Sequence, residues 1–257
     1  MTVVPVCRAA IIGVTGRMGC ALLRAAAASP RMRVTGAIAS PASLALGRDA
    51  GEVAGIGVIN VPVTSDLPAA LAAADVAIDF RQSAAVAANL AACRAAHRPL
   101  LLGTTGLGAA LEGPLAAAAL EIALLVAANT SLGGALLVEL VRQAARALPE
   151  GFDIDILDRH HRHKQDAPSG TALALGSAAA AARGENARVA FASVRAGDLV
   201  GEHEVCFTGS GEALSLSHRV WDRAVFARGA LAAALWLASR PAGRYEMRDI
   251  LGLKTVT

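Results

Sequence analysis

Apolar and polar positions alternate in blocks along the first half of the chain, with short apolar runs separated by Ala-rich stretches of helical character. The apolar runs predict strands at Val6–Ile12, Arg33–Ala39, Asp75–Phe80, Pro99–Leu102 and Ile122–Ala127. Turns and helical patterns follow them, as in the helix predicted over Met18–Ala28. Short apolar strands that alternate with helices of about 10–15 residues are typical of βαβ units, so this half predicts a parallel sheet.

The pattern changes after Leu132. A helix is predicted over Gly134–Ala147, and isoleucines alternate with aspartates in Phe152–Leu157, as on a strand with one solvated face. Further strands are predicted at Ala187–Val194, Glu202–Thr208 and Ala213–Arg219. These elements indicate a second, α+β domain with a mixed, open-faced sheet and a junction near residue 130. The pattern alone does not place the tail after Pro241.

The composition narrows the class of protein. Of the 257 residues 54% are hydrophobic, which is too many for a disordered chain. The longest stretch without a charged residue, Ile122–Val138, is interrupted by polar residues and glycines, unlike the roughly 20 mainly apolar residues of a membrane helix. Met1–Arg8 lacks the pattern of a secretory signal, and the four cysteines form no CxxC pair. We therefore expect a cytoplasmic protein with reduced thiols.

Charge and aromatic content favour neither a nucleic acid nor a membrane as partner. The formal charge is +3, and only 3% of the residues are aromatic, so few rings could stack on bases. Of the 24 basic residues, only Lys164 and Lys254 are lysine. A lysine inside a polar motif of such a chain indicates chemistry that arginine cannot perform, since arginine effectively never gives up its proton.

A glycine-rich turn follows the first predicted strand and opens the first predicted helix. Its residues, Gly13 to Gly19, have the spacing GxxGxxG. Glycines in this context allow a tight turn and let the backbone approach a pyrophosphate at the helix N-terminus, which predicts dinucleotide binding. The alternative is a glycine turn that serves packing alone.

The end of the second predicted strand bears on the choice of dinucleotide. A carboxylate that binds the adenosine ribose is expected there, but the chain has Ser40 and Pro41. Without that carboxylate a 2′-phosphate meets less repulsion, and Arg17 is a candidate partner for it, so these residues favour NADPH. The alternative is that Ser40 hydrogen-bonds either cofactor.

Two further turns, Gly103–Gly106 and Ala127–Ser131, follow predicted strands. Ligands of open α/β sheets bind beyond the carboxyl ends of the strands. Small and hydroxylated residues there would let a nicotinamide lie against the backbone. Each turn alone is compatible with an ordinary connection, but together with the glycine-rich turn they line one candidate crevice.

The densest group of chemistry-bearing side chains lies in His160–Thr171, where three of the six histidines and one of the two lysines fall within five residues. A helix is predicted from Ser169, and Pro168 suits its entry. The amides of Ser169, Gly170 and Thr171 would then be free to bind a carboxylate. His and Lys side chains could move protons beside that anion. A metal site and a solvated polar loop are the alternatives, although the HHxH spacing does not match helical zinc pairs.

These motifs resemble, in the same order along the chain, those of the 4-hydroxy-tetrahydrodipicolinate reductases (dihydrodipicolinate reductases) of bacterial lysine biosynthesis. His160–Thr171 is similar to the signature HHxxKxDAPSGTA, Val14–Gly19 to the cofactor turn xGRMG, and Gly103–Gly106 to GTTG. Arg195–His203 is similar to RAGDxxGEH, and Tyr245–Leu253 to the ending xxMRDxLxL. The resemblance covers essentially the whole chain.

The resemblance implies an α/β protein of two domains. An N-terminal Rossmann-like dinucleotide-binding domain would span 1–130 and be completed by 235–257. An α+β domain over 131–234 would bind a dicarboxylate substrate and assemble a homotetramer. The implied reaction is the reduction, by NADPH or NADH, of the dehydrated form of 4-hydroxy-tetrahydrodipicolinate to tetrahydrodipicolinate in the diaminopimelate route.

The resemblance also implies roles for individual residues. His160 would be the proton donor or acceptor and Lys164 the proton donor. His161, Gly170 and Thr171 would hold the substrate carboxylates. In addition to Ser40, the cofactor would be held by Gly13, Val14, Thr15, Gly16, Arg17, Met18, Gly103, Thr104, Thr105, Ala127, Ala128, Asn129 and Thr130.

Three departures from the family pattern keep alternatives open. Ser40 stands where the family has an acidic residue, Thr130 where it has an aromatic one, and the segment 183–194 lacks the family's RxGxTGxR loop. The short segment leaves room for a reductase of another cyclic imine. A non-catalytic NAD(P)-sensing protein is the other alternative, but it would not need His160 together with Lys164.

Overall fold

The computed structural model describes residues 6–184 and 187–253. They form two compact units. The first unit combines the described residues before Ser131 with those from Phe226 onward, and the second unit is Ser131–Val225. The segment 183–194, in which the sequence departs from the family pattern, lies partly outside the described residues.

The first unit is built on a sheet in which every pairing between the described strands is parallel. The strands are β1 (Cys7–Ile12), β2 (Met32–Ile38), β3 (Val63–Thr64), β4 (Val76–Asp79), β5 (Leu100–Leu102), β6 (Ala123–Val126) and β11 (Gly243–Tyr245). Their order is β11-β6-β5-β4-β1-β2-β3. The predicted parallel sheet is confirmed, and β11, which the pattern could not place, pairs with β6.

Helices cover this sheet. They are α1 (Arg17–Ala27), α2 (Ala50–Ala54), α3 (Leu67–Ala72), α4 (Val86–Ala95), α5 (Glu112–Ala119), α8 (Ala224–Leu237) and α9 (Met247–Ile250). Every residue of β4 and β5 is buried, as expected for strands with both faces covered. None of the helices that the structure describes has the length and apolar character that a membrane span requires.

Helix α1 shows why the first helix forms where it does. Leu22, Leu23 and Ala26 recur at helical spacing and are buried, while the opposite face is solvated. The helix begins after Gly16, which has no side chain to cap it. The first amides of α1 consequently point away from the helix without a capping side chain.

The second unit contains a mixed sheet with helices on one face. Its elements are α6 (Leu132–Ala147), β7 (Asp153–His160), α7 (Gly170–Arg183), β8 (Val189–Arg195), β9 (Gly201–Gly209) and β10 (Glu212–Val220). The strand order is β10-β9-β7-β8, with β7 and β8 parallel and the other pairs antiparallel. Residues of α6 and α7 form the core with the inner face of β7 and β9. The predicted mixed, open-faced sheet is confirmed.

Candidate active site

One face of β7 passes from apolar to titratable side chains along the strand. Ile154 and Ile156 lie in the apolar core of the second unit. Asp158 and His160 continue the same row, because alternate residues of a strand share a face, and they are 1% and 8% exposed. The strand predicted to end at Leu157 reaches His160 because its pairing with β8 continues that far. Asp158 and His160 therefore lie in the sheet and not in a solvated loop.

Asp158 is held by donors from two neighbouring elements. Ser193 Oγ on β8 donates to its Oδ1, and Arg195 Nη2 on the same strand donates to its Oδ2 at 3.0 Å. The amide of Ser169, immediately before α7, donates to Oδ2 at 3.3 Å. Burial alone would raise the pKa of Asp158, but these hydrogen bonds outweigh it and keep the pKa below its usual range.

His160 lies against Asp158 at the end of the same strand. Its Nδ1 is 3.1 Å from Oδ2 of Asp158, although the ring is not aligned for a hydrogen bond. A side chain at Gly201 would place its Cβ 3.1 Å from His160 Nε2, so glycine leaves room for the ring there. Burial lowers the pKa of His160, and the charges of Lys164 and Arg195 act in the same direction against the opposing effect of Asp158. The imidazole is therefore neutral at neutral pH.

A second histidine, His203, lies beside these two side chains. Asp158, His160 and His203, together with Arg195, are called the buried layer below. His203 lies directly opposite Asp158 in the pairing of β7 with β9, and its ring meets that of His160 edge to face, with centroids 5.1 Å apart. Its Nε2 is 3.1 Å from Oγ of Ser169, which caps α7 by accepting from the Ala172 amide. Burial, reinforced by the neighbouring His160, lowers the pKa of His203 to about 4.

Lys164 lies in the loop between β7 and α7, where its ammonium meets the carboxylate of Asp166. Its Nζ donates to Oδ1 at 2.7 Å and to Oδ2 at 2.8 Å. The hydrogen bond from Lys164 lowers the pKa of Asp166, and the Gly170 amide contributes to the same effect. The Asp166 carboxylate thus engages the predicted proton donor, Lys164, and one of the groups predicted for a substrate carboxylate, the Gly170 amide.

The start of α7 differs in detail from its prediction. Ser169 is the N-cap and not a helical residue, and its amide is engaged by Asp158, so the prediction that this amide is free was wrong. The helix begins at Gly170, which is exposed and has open space around it. Thr171, in the first turn of α7, and His161, in the loop after β7, are partly exposed.

The buried layer also offers ligand atoms for a metal ion. One atom each from Asp158, His160 and His203 lie within 4.8 Å of one another. However, both oxygens of Asp158 already accept hydrogen bonds, and the guanidinium of Arg195 binds one of them. Because that fixed positive charge repels a cation, we assign these side chains to a hydrogen-bonded network rather than to a metal site.

In the first unit, the glycine-rich turn excludes side chains at two of its glycines. Gly13 has φ +88°, a conformation that side chains disfavour, and a Cβ at Gly19 would lie 2.2 Å from the oxygen of Gly13. Val14 is buried, Thr15, Gly16 and Arg17 are exposed, and Met18 is partly buried. The helix has no acidic residue in its first turn, so nothing there opposes an anion.

Arg81 lies against the glycine-rich turn, although the sequence analysis did not identify it. It follows β4, and a Cβ added at Gly13 would lie 2.9 Å from its Cγ, so the stem of the arginine side chain packs against Gly13. Asp79 accepts from the Arg81 amide at 2.8 Å, and Thr104 Oγ donates to the Arg81 carbonyl at 2.7 Å. The turn after β4 is therefore held from two sides.

The other predicted cofactor positions differ in exposure. Ser40 Oγ accepts from the amide of Ala42 at 3.4 Å. Gly103 packs against the ring of Phe80, and Thr105 is exposed. Thr130 is buried, and its hydroxyl donates to the carbonyl of Phe226 at 2.7 Å. The remaining positions are the buried Ala127, the exposed Ala128 and the partly buried Asn129.

Comparison with known proteins decides the family. The profile described as "Dihydrodipicolinate reductase, N-terminus" matches residues 7–130, and that described as "Dihydrodipicolinate reductase, C-terminus" matches residues 133–251. The chain belongs to the dihydrodipicolinate reductase family.

Individual members of the dihydrodipicolinate reductase family agree with this assignment. The chain is 46% identical to the 4-hydroxy-tetrahydrodipicolinate reductase of Alkalilimnicola ehrlichii, over 96% of this chain and 99% of that protein. It is 44% identical to the protein of the same name from Halorhodospira halophila, over 95% and 98%. The structure of "Dipicolinate bound Dihydrodipicolinate reductase from Paenisporosarcina sp. TG-14" matches with TM-score 0.78 at 22% identity, over 94% of this chain and 97% of that one. That structural likeness shows a common fold.

Several residues of the buried layer were missed by reasoning from the sequence. Asp158 has the same strand parity as the buried Ile156, and this signal could have identified it. Arg195 and His203 are the first and last residues of the motif RAGDLVGEH, but only strand pairing brings them to Asp158 and His160.

Proposed function

We propose that this protein reduces the dehydrated form of 4-hydroxy-tetrahydrodipicolinate to tetrahydrodipicolinate, with NADPH or NADH as the reductant. The observation that carries the proposal is the arrangement of a neutral His160 and a cationic Lys164 beside the start of α7, in a chain that belongs to the dihydrodipicolinate reductase family. A ring carbon of the substrate gains a hydride, and the neighbouring carbon or nitrogen gains a proton.

The substrate carries two carboxylates, and the groups around α7 suit them. The helix N-terminus provides partial positive charge, and Gly170 there is exposed with no atom near its missing side chain. We assign His161, Gly170 and Thr171 to the carboxylates. A substrate carboxylate replaces that of Asp166 on Lys164 and on the Gly170 amide, since the same donors suit either anion.

Lys164 and His160 transfer the proton in this scheme. Lys164 has a proton to give, and its proximity lowers the pKa of His160. The neutral imidazole has one acceptor nitrogen, so His160 can accept or return a proton during the reaction. A positioned proton-transfer group of this kind contributes about 10²–10⁴-fold to a rate.

The residues of the first unit fit a dinucleotide. A positive φ at Gly13 and a 2.2 Å clash for any Cβ at Gly19 explain why glycine stands at both positions, and the uncapped start of α1 suits a pyrophosphate. Arg17 and Arg81 supply positive charge near it. Gly103 to Thr105 and Ala127 to Thr130 are assigned to the nicotinamide side. The bound cofactor supplies the hydride.

We further propose a cytoplasmic homotetramer. The outer face of the second sheet carries small and apolar side chains such as Ala190, Ala192 and Val194, and Val194 is 40% exposed. A groove of about 320 Å³ lies on this face. Covering the face with another copy would bury these side chains, and sedimentation of the wild type against Ala192→Arg tests this assembly. The four unpaired cysteines suit a reducing compartment.

The decisive experiment supplies chemically generated dihydrodipicolinate with NADPH or NADH and follows loss of the reduced nicotinamide absorbance. We expect turnover with this substrate and little with other cyclic imines, and a loss of turnover in Lys164→Ala. Faster reduction of another imine would identify a related reductase. Cofactor binding by calorimetry without turnover of any imine would identify a sensing protein.

A further inference from the structure

We propose that Asp158 is a positioning residue for catalysis: it holds the His160 ring through Nδ1 and leaves Nε2 for proton transfer. This inference rests on the proposed function of His160. Asp158 itself touches no substrate in this scheme and acts through the imidazole.

The geometry of β7 brings the two side chains together. They are two residues apart on one strand, so they share a face, and Nδ1 of His160 lies 3.1 Å from Oδ2 of Asp158. The ring needs only reorientation to make this contact a hydrogen bond. Catalytic hydrogen bonds are often loose without ligand and tighten when substrate binds.

The carboxylate of Asp158 is itself fixed by its surroundings. Ser193 Oγ, the Ser169 amide and Arg195 Nη2 all donate to it, from β8 and from the residue that caps α7. These donors leave it little freedom to turn. Because Ser169 also caps the substrate-binding helix, Asp158 connects the position of His160 to the start of α7.

The charges around His160 explain why a carboxylate is needed there. Lys164 from the following loop, Arg195 from β8 and His203 from β9 face the same space, and Lys164 and Arg195 oppose protonation of His160. Among the described groups that act on the ring, Asp158 is the acid that favours the protonated form. Without it, the imidazole would be a poorer base and its Nδ1 would lose the nearby carboxylate.

The test is Asp158→Asn, which keeps the shape and removes the charge. We expect kcat to fall about 10–100-fold, as part of the ~10²–10⁴-fold that a positioned proton-transfer group contributes, with little change in the affinity for pyridine-2,6-dicarboxylate. The pKa of His160, followed by NMR and assigned with His160→Gln, should fall. The corresponding limb of the kcat–pH profile should move to lower pH with it. Asp153→Asn, an exposed acid on the same strand, is the matched control and should change neither.

The outcomes separate this inference from the proposed function. An unchanged His160 pKa in Asp158→Asn overturns the positioning role, whatever happens to kcat. A shifted pKa with an unchanged pH profile leaves the contact intact but removes His160 from the reaction, and the positioning role falls with it. If wild type reduces no dihydrodipicolinate, the proposed function fails, while the titration still decides whether Asp158 controls His160. Asp158→Glu restores the carboxylate, so its His160 pKa should return toward wild type, and failure to do so also contradicts the proposal.

Discussion

Lys164 matters for the chemistry of the site more than for the stability of the fold. It is the lysine of the polar motif in a chain whose other described cations are arginine, and it is held by both oxygens of Asp166. The pair is partly solvated, so its contribution to stability is small, about 0–1 kcal/mol. In the proposed reaction its role is to supply a proton, which an amine can release and a guanidinium cannot.

We therefore expect Lys164→Arg to retain the charge and lose the chemistry. Its kcat should drop by about 10²–10⁴-fold, whereas its affinity for pyridine-2,6-dicarboxylate should stay closer to wild type than that of Lys164→Ala. Steady-state kinetics and calorimetry measure the two effects separately. Wild-type kcat in Lys164→Arg would rule out Lys164 as the proton donor.

Cofactor choice also depends on single residues. Ser40 provides no negative charge at the end of β2, and Arg17 is exposed at the start of α1, so we expect NADPH to be used at least as well as NADH. Ser40→Asp should favour NADH by adding a ribose acceptor and repelling a 2′-phosphate. Arg17→Ala should lower kcat/KM for NADPH, by up to about fivefold for an exposed contact and by more for a clasped phosphate.

The control for this prediction is Arg81→Ala, which removes the arginine side chain that packs against Gly13. If Arg81 contacts the pyrophosphate common to both cofactors, its loss affects NADPH and NADH equally. Strong selectivity of the wild type for NADH, or unchanged NADPH efficiency in Arg17→Ala, would contradict the role given to Arg17.

At the scale of elements, the two helix starts that matter are built in opposite ways. The N-cap of α7 is Ser169, whose hydroxyl caps the helix and lies 3.1 Å from Nε2 of His203. The N-cap of α1 is Gly16, which offers no capping side chain. An uncapped N-terminus leaves backbone amides free to bind a ligand. The serine therefore anchors the start of α7 within the protein, whereas the glycine leaves the start of α1 suited to a pyrophosphate.

A test of this element is Gly19→Ala. A Cβ there would lie 2.2 Å from the Gly13 oxygen, so α1 cannot keep its place on the turn, and both the melting temperature and cofactor affinity should fall. Gly113→Ala, inside α5 with no atom within 4 Å of the added Cβ, is the matched control. It should be neutral or stabilising by about 0.5–1 kcal/mol. Wild-type cofactor affinity in Gly19→Ala would show that the turn does not hold the dinucleotide.

At the scale of the whole molecule, the buried His203 makes stability depend on pH. Its pKa lies at about 4 in the folded state, whereas the unfolded chain protonates it at its ordinary value of 6.5. Between these values the unfolded state binds more protons, so His203 contributes stability above pH 6.5 that is lost as the pH falls toward 4.

We expect the melting temperature of wild type to fall more steeply over this pH range than that of His203→Gln, which cannot titrate. Melting curves recorded from neutral to acidic pH provide the measurement. His163→Gln, an exposed histidine in the same unit, is the control and should keep the wild-type slope. Parallel curves for wild type and His203→Gln would show that this histidine is not held neutral by the fold.

The sequence by itself determined those features whose causes are local. Alternation and apolar runs predicted the strands of both sheets except the short β3 and β11, and the glycine spacing predicted the turn at Gly13 because backbone conformation depends on the residue that adopts it. The motif beginning at His160 was specific enough to indicate the family.

Only the tertiary structure decided which side chains share a site and in what charge state. Asp158, Arg195 and His203 come from three strands, and their register brings them together. The Ser169 amide, expected to be free, is bound because Asp158 lies beneath it. Burial lowers the pKa of His203, whereas hydrogen bonds keep the pKa of Asp158 low, and both effects depend on which strands pair and which helix covers them. That information is spread over distant parts of the chain, so no local pattern of residues contains it.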